Sequence, residues 1–426
     1  MRKMKDSGIE WIGEIPNDWR VYKVKNICRI RGEKNRPQAQ VLSVYRELGV
    51  VVKAERNDNH NVTSEDTSSY KYVLPNDLVV NKMKAWQGSM GISRFEGIVS
   101  PAYYVFKIIS DEIYPMYIHY LLRNVAYLPE YRRLSGGIRP GQWDLSIENL
   151  QNIPILIPPY DNQCRIVSYL DRKCSQIDAI IARQQEVIEK LKAYKLSVIT
   201  EAVTKGLNPD VPMKDSGVEW IGEIPNSWVK VKLKNICQFI NGDRSSNYPS
   251  PNEYVDDGIP FLGADSLCGR YVDITQSKKI TKEKYNSMGG AKIHEGDILY
   301  TLRGSTIGKN AMATFNDGTV ASSLMVIRPI SIVPEYLLYW LNSEEEFQQR
   351  QSYINGSTAP NLSAENVGSF VMFLPSVAEQ REIADYLDKK CTEIELTMLK
   401  KQMMADQLSN YKKSLIYEVV TGKKEV

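Results

Sequence analysis

Residues 4–28 read MKDSGIEWIGEIPNDWRVYKVKNIC, and 209 positions later residues 213–237 read MKDSGVEWIGEIPNSWVKVKLKNIC, with 19 of 25 positions identical. An internal repeat constrains a fold more than any local pattern, because whatever the first copy builds the second must build again. A second block closes each copy. LDRKCSQIDAII from Leu170 matches LDKKCTEIELTM from Leu387 at an offset of 217, and Tyr194, Ser197, Glu201, Val203 and Thr204 return as Tyr411, Ser414, Glu418, Val420 and Thr421. The 426 residues are thus a tandem of two units, each a mixed body followed by a long polar helix. Length alone, at about 150 residues per domain, points to two or three domains.

Between those blocks the copies drift apart on a shared skeleton. Asn76-Asp77-Leu78-Val79 answers Gly296-Asp297-Ile298-Leu299, Pro115 answers Pro334, and Leu145, Glu148 and Asn149 answer Leu362, Glu365 and Asn366. Neutral drift alone would not spare the ends, so the pattern indicates equivalent scaffolds carrying two different specificities. Each body reads as α+β. Runs of β-branched and aromatic residues at 99–109, 298–302 and 320–327 predict strands between Gly, Pro and Asn turns. Residues 114–123 and 334–349 have helical spacing with a proline near the first turn. The divisions are a first body at 1–160, a helix at 161–206, a second body at 207–376 and a helix at 377–426.

From Asp161 to Lys205 there is neither Pro nor Gly. A heptad places Ile166, Lys173, Ile180, Val187, Tyr194 and Glu201 at one seam position, with Gln163, Leu170, Ile177, Gln184, Leu191 and Val198 at the other. The second copy repeats it as Ile383, Lys390, Thr397, Met404, Tyr411 and Glu418 against Gln380, Leu387, Ile394, Lys401, Leu408 and Leu415. Helices of about 45 residues reach roughly 65 to 70 Å. Two equivalent half-apolar helices are expected to pair with each other, antiparallel, holding the bodies apart with approximate two-fold symmetry. Ile181, Ile188, Ile199 and Val203 fall outside this seam and suggest a second partner surface. The layout is expected to be nearly circular, with the opening residues beside the end of the second helix.

Lys plus Arg number 54 and Asp plus Glu 51, with 42% hydrophobic and 25% charged residues. This is a globular composition, not a disordered or disulfide-stapled one. No run of about 18 apolar residues occurs and residues 1–10 are polar, so the chain is expected in the cytoplasm. The six cysteines form no C-x-x-C pair and the three histidines stand far apart, which argues for reduced packed thiols and no metal site. Gly304-Ser305-Thr306-Ile307-Gly308-Lys309 is one residue short of a phosphate loop and is followed by Asn310 instead of Ser or Thr. Ile157-Pro158-Pro159-Tyr160 lacks the polar acceptor with which the Asn/Asp-Pro-Pro-Tyr motif holds a target amine. No nucleotide fingerprint, zinc-protease motif or nucleophile with partners can be picked out, so no catalytic residue is expected.

The duplicated Asp-Ser-Gly-x-Glu-Trp-Ile-Gly-Glu-Ile-Pro-Asn-x-Trp opening carries a resemblance. So do Asn81-Lys82-Met83-Lys84-Ala85-Trp86-Gln87-Gly88, Ile98-Val99-Ser100-Pro101-Ala102-Tyr103 and the Gln-x-x-Ile-x-x-Tyr-Leu-Asp-x-Lys helix starts at Gln163 and Gln380. Over essentially its whole length the chain resembles the specificity subunits of type I restriction-modification systems. The second body departs at Thr301-Leu302-Arg303-Gly304-Ser305-Thr306-Ile307-Gly308, which implies a different target sequence.

The resemblance implies two target recognition domains, each reading half of a bipartite DNA site, with a two-helix spacer between them. It implies two modification subunits that bring S-adenosylmethionine and adenine methylation, and restriction subunits that bring ATP- and Mg-dependent cleavage. This subunit would bind no cofactor and no metal itself.

Phosphate contacts position such a protein and base-edge contacts specify. Candidate contacts in the first body are Arg31, Lys34, Asn35, Arg36, Lys82, Lys84, Trp86, Gln87, Arg139 and Gln142. In the second they are Asn241, Arg244, Asn247, Arg303, Ser305, Lys309, Asn355 and Asn361. Leu170, Ile177, Leu191, Tyr194, Leu387, Ile394, Leu408 and Tyr411 are assigned to the helix seam and partner subunits. Trp11, Trp19, Trp220 and Trp228 sit in the invariant part and read as scaffold packing. The competing readings are a coiled-coil scaffold whose bodies bind protein, and a fused restriction-methylation enzyme, which the missing motifs oppose.

Charge is unevenly placed. Residues 1–160 carry 22 basic and 17 acidic groups, and residues 207–376 carry 15 and 19. The first body can attract DNA by its net charge, whereas the second needs a local basic face.

Overall fold

Buried β-branched residues alternating with turn formers build the same sheet twice. The computed structural model describes residues 2–56, 63–137, 143–243, 245, 247–275, 277–354 and 361–426. The first body contains β1 (Arg20–Lys23), β2 (Cys28–Ile30), β3 (Leu78–Asn81), β4 (Met90–Ile92), β5 (Tyr103–Ile108), α1 (Pro115–Leu122) and β6 (Pro154–Ile157), followed by the 46-residue helix α2 (Tyr160–Lys205). The second contains β7 (Val229–Lys232), β8 (Cys237–Asn241), β9 (Ile298–Thr301), β10 (Asn310–Met312), β11 (Leu324–Pro329), α3 (Pro334–Trp340), α4 (Glu344–Tyr353) and β12 (Val371–Leu374), followed by the 44-residue helix α5 (Val377–Val420).

The central sheets are antiparallel, in the orders β2-β5-β3-β4 and β8-β11-β9-β10. Their registers correspond, with Phe106 opposite Leu78 and Ile327 opposite Ile298. Leu78 and Val80 face the main core while Val79 faces a second cluster with Leu42 and Val44, and Ile298, Tyr300 and Leu299 divide the same way. Both sheet faces are covered, so these strands read as unbroken apolar runs. The chain is α+β.

Some predicted elements are shorter than expected. The 99–109 strand breaks at Ser100-Pro101-Ala102, where proline has no N–H to pair, and resumes at Tyr103. The 320–327 strand breaks at Ala321-Ser322-Ser323, with no proline there, and resumes at Leu324. The 334–349 helix stops at Trp340 and restarts at Glu344. Asn342 there donates to Leu338 O and to Asn310 Oδ1, and the Ser343 hydroxyl donates to Trp340 O, so side chains compete with the helical bonds.

The residues group into two units, Met1–Gln185 with Gln402–Val426, and Glu186–Lys401. Each unit is therefore one body with a piece of both long helices. In the first, Ile166, Leu170 and Ile177 of α2 share a core with Leu415, Val419 and Val420 of α5. In the second, Val198, Ala202 and Val203 of α2 share a core with Ile383, Leu387 and Cys391 of α5. The helices pack together antiparallel. Lys412 pairs with Asp178 in the first unit and Lys195 with Glu395 in the second. Lys412 repeats Lys195 and Glu395 repeats Asp178 at the offset of 217, so one ion pair is made twice with the helices exchanging roles. Its partly exposed charges contribute at most about 1 kcal/mol, so its main effect is to fix register.

One expected seam holds; of the other, Ile166 and Ile383 are buried, but beyond them the packed position lies one residue later. Gln163, Leu170, Ile177 and Val198 are buried, and Leu191 half-buried, as are the corresponding Gln380, Leu387, Ile394, Leu415 and Leu408. The facing position is taken by Val167, Cys174, Ile188 and Ala202, and by Ala384, Cys391, Ala405 and Val419. Tyr194 and Tyr411, assigned to the seam, are 54% and 53% exposed, and Ile180 and Met404 also face out. The spacing fits either register, but Cys174, Ala202, Ala384 and Ala405 are small enough to let the backbones approach. Ile181, Ile188, Ile199 and Val203 consequently pack inward and form no separate partner surface.

Each helix start is fixed by a buried amide. Gln163 Nε2 donates to Glu112 O and Pro158 O, while its Oε1 accepts from the Tyr114 N–H at the start of α1. Gln380 donates to Pro375 O and accepts from the Val333 N–H at the start of α3. Further along, Tyr120 donates to Asp171 and Tyr339 to Asp388. The helix ends repeat a contact too. Gly206 and Gly422 take the left-handed conformation that closes a helix, Gly206 beside Trp228 and Gly422 beside Pro16 and Trp19. Trp19 and Trp228 are buried, and Lys423 donates to Ile12 O. The opening residues thus lie beside the end of α5 within the first unit, as expected.

Replacing Gln163 with Leu strands the Tyr114 N–H and two carbonyls in the interior. The expected loss is about 2 to 4 kcal/mol, read as a lower urea midpoint with faster hydrogen exchange at Tyr114 and unchanged exchange at Val333.

Candidate nucleic-acid interface

The connection from β3 to β4 and its counterpart from β9 to β10 hang on the same three backbone bonds. Asn81 N–H donates to Ser89 O, Lys82 N–H to Ala102 O and Leu145 N–H to Lys82 O, at 3.0, 3.2 and 3.1 Å. In the second body Thr301 donates to Lys309 O, Leu302 to Ser323 O and Leu362 to Leu302 O, at 2.9, 2.8 and 2.9 Å. Gly88 and Gly308, at φ +82° and +88°, return each loop to its strand. The frame is common and the exposed side chains differ.

In the first loop Lys84 is exposed and Trp86 and Gln87 half-buried. Trp86 meets Trp143 edge-on at 5.4 Å, the Arg132 guanidinium lies 5.6 Å from the Trp86 ring, and Lys82 pairs with Asp144 at 3.4 Å. Trp86 Nε1 and Asp144 Oδ1 are buried with no partner among the described residues. Lys34, Asn35 and Arg36 are exposed on a neighbouring loop, where Asn35 takes φ +61° and Arg36 lies over Tyr72. Lys71, which carries no sequence signal between two tyrosines, joins Lys34 and Lys82. Burial and the charges of those two lysines hold its ammonium below the usual lysine range.

In the second loop Arg303 and Ser305 are exposed. Arg303 forms a β-bridge with Asn361 and donates from Nε to Asn361 Oδ1 at 3.2 Å. Arg350 supports the loop from below, donating from Nη1 to Ile307 O and from Nε to Glu346, which also accepts from Tyr300. A Cβ on Gly308 would stand 2.4 Å from Arg350 Nε, so glycine is required there. Asn241 and Asn247 are exposed, and Asn247 donates to Ser287 O.

Two expected DNA contacts have other roles. Arg31 donates from Nε and Nη2 to Asp77, which is 2% exposed, and from Nη1 to Glu33, so its guanidinium is committed to the interior. The second body neutralises the matching Asp297 with Arg328, from a different strand, a pairing no linear comparison of the copies reveals. Lys309 turns inward and donates to Ala264 O at 3.0 Å. Arg139, Gln142, Arg244 and Asn355 lie outside the described residues. Among the described residues no group of His, Cys, Asp and Glu converges as metal ligands would, and no helix is long and apolar enough to cross a membrane.

Residues 16–190 and 225–403 match the family model described as type I restriction modification DNA specificity domain. The MjaVIII specificity subunit of Methanocaldococcus jannaschii is 22% identical over 96% of this chain and 93% of its own length. The EcoKI specificity subunit of Escherichia coli K12 is 21% identical over 87% and 82%. Among solved structures, a chain from a study of assembly and conformational transition of the type I R-M system superposes with a TM-score of 0.70 at 15% identity, covering 96% of this chain and 99% of that one. The HsdS subunit of Thermoanaerobacter tengcongensis gives 0.51 at 15% identity, covering 96% and 98%.

Arg31→Met and Arg328→Met each leave a buried carboxylate without its counter-charge. Each is expected to cost about 3 to 5 kcal/mol in chemical denaturation, whereas Lys84→Ala on the exposed loop changes stability by no more than about 0.5 kcal/mol.

Proposed function

Because the chain belongs to the type I restriction-modification DNA specificity family, we propose that each body reads one half of a bipartite double-stranded DNA site. The observation that carries this reading is the pair of loops with identical backbone anchors and different exposed side chains. Phosphate contacts from lysines such as Lys34 and Lys84 position the first body, and loop side chains select bases. The first body's excess of positive charge assists capture. The second, with more acidic than basic groups, depends on the local charge of Arg303.

The chain acts as the non-catalytic subunit of a larger assembly. Two modification subunits supply S-adenosylmethionine and adenine methylation, and restriction subunits supply ATP- and Mg-dependent cleavage. Tyr194 and Tyr411 support a pair of docking positions, since they are equivalent in the repeat and equally exposed. Helix length sets the unread spacer between half-sites.

Exchanging residues 30–145 for the matching stretch of another family member is expected to change one half-site and preserve the other half and the spacing, read by mapping methylated adenines genome-wide. A change in both halves would contradict two independent modules. Inserting seven residues after Gln185 and seven after Lys401 keeps the heptad phase and adds about 10 Å. At 3.4 Å per base pair the spacer is expected to grow by about three base pairs with both half-sites intact. Binding by the assembled complex is expected to weaken linearly in log–log with salt; salt-independent binding would favour a protein-binding scaffold.

A further inference from the structure

We propose that Arg303 reads a guanine in the half-site of the second body, held in its reading pose by Asn361. This rests on the second body being a DNA-recognition module, and names the base that one of its side chains selects.

The loop bearing Arg303 is unusually well fixed for an exposed connection. Gly308 N–H donates to Thr301 O and Lys309 N–H to Thr306 O, Leu302 is held on both sides by Ser323 and Leu362, and Arg350 ties down Ile307. A base contact needs such support, because a side chain on a loose loop pays the ordering entropy when it binds.

The guanidinium itself is oriented. Its Nε–H is taken by Asn361 Oδ1, which sets the plane of the group, and its two terminal nitrogens have no partner among the described residues. Residues 207–376 carry nineteen carboxylates, yet none of those described forms an ion pair with Arg303. The free edge is thus the end-on pair of amino groups. That pair matches the O6 and N7 acceptors that guanine presents in the major groove, the commonest specific side-chain contact to a base. Arginine can also grip a phosphate with the same fork, so an Arg303→Lys variant and the salt dependence of binding distinguish a base contact from a backbone one. The Asn361 bond and the fixed loop hold the fork in a single pose, which the reading of one base edge requires. The first body has Met83 at the corresponding loop position, with no donor to offer, so this guanine belongs to the second half-site alone.

The test is selection from a random duplex pool by the complex assembled with its modification partner, comparing the native chain with Arg303→Lys, Arg303→Ala and Asn361→Ala. The expected result is a guanine in one half-site that becomes degenerate in both Arg303 variants, with discrimination there falling about 5- to 100-fold. Asn361→Ala is expected to relax the same position less. The other half-site and the spacing stay unchanged, which also reports an intact fold. A motif unaltered in all three variants overturns the assignment. So does weaker binding to every sequence alike, with retention in Arg303→Lys and a salt slope lower by about one in Arg303→Ala, the signature of a phosphate contact. Relaxation at a position that is not guanine overturns it as well. Those results leave the two-module reading standing; a native complex that selects no bipartite motif removes that reading, and the assignment with it.

Discussion

Everything else in the protein depends on the seam between the two long helices. Neither body completes its core with its own residues. The first needs Leu415, Val419 and Val420 from the end of α5, and the second needs Val198, Ala202 and Val203 from the end of α2. Close approach is possible because Cys174, Ala202, Ala384 and Ala405 are small. The clamps by Gln163 and Gln380 and the glycine–tryptophan contacts at Gly206 and Gly422 then fix where each helix meets a body. The seam is a structural joint, and the paired loops stand on what it holds.

Much of this was legible in the sequence. The near-identical blocks revealed the tandem, the proline-free stretches the long helices, and the divergent middle the place where the exposed loop side chains differ. What failed did so for specific physical reasons. A heptad laid on Ile180 and Tyr194 counted hydrophobicity, whereas the packed seam selects small size at alternate layers, one residue later. Arg31 has the residue type of a DNA contact, but its guanidinium is held by Asp77 and Glu33. Its partner Asp77 lies 46 residues away and is buried by strands that no local pattern could bring together. Lys309 is likewise drawn inward by the carbonyl of Ala264, 45 residues away. Arg303 and Asn361 were both named as candidates, but only folding shows that they touch.

The two bodies illustrate how a frame is separated from its contents. The sheet registers, the three loop anchors, the buried aspartate and the tyrosine bond to the long helix recur in both. The frame tolerates different means to one end: Asp77 is neutralised from the strand edge by Arg31 and Asp297 from the neighbouring strand by Arg328. Under the first loop lies an aromatic cluster of Trp86 and Trp143, under the second the Tyr300, Glu346 and Arg350 network. Side chains at the loop tips can therefore change without disturbing the layers beneath.

The contact between a closing glycine and an opening tryptophan has a consequence for folding. Gly206 and Trp228 are 22 residues apart in sequence, whereas Gly422 and Trp19, making the equivalent contact, are about 400 apart. On loop-closure entropy the distant pair costs roughly 2 to 3 kcal/mol more to form. The second unit is continuous in sequence and can close as it emerges from the ribosome; the first body, though synthesised earlier, must wait for the last turns of α5 and is finished last.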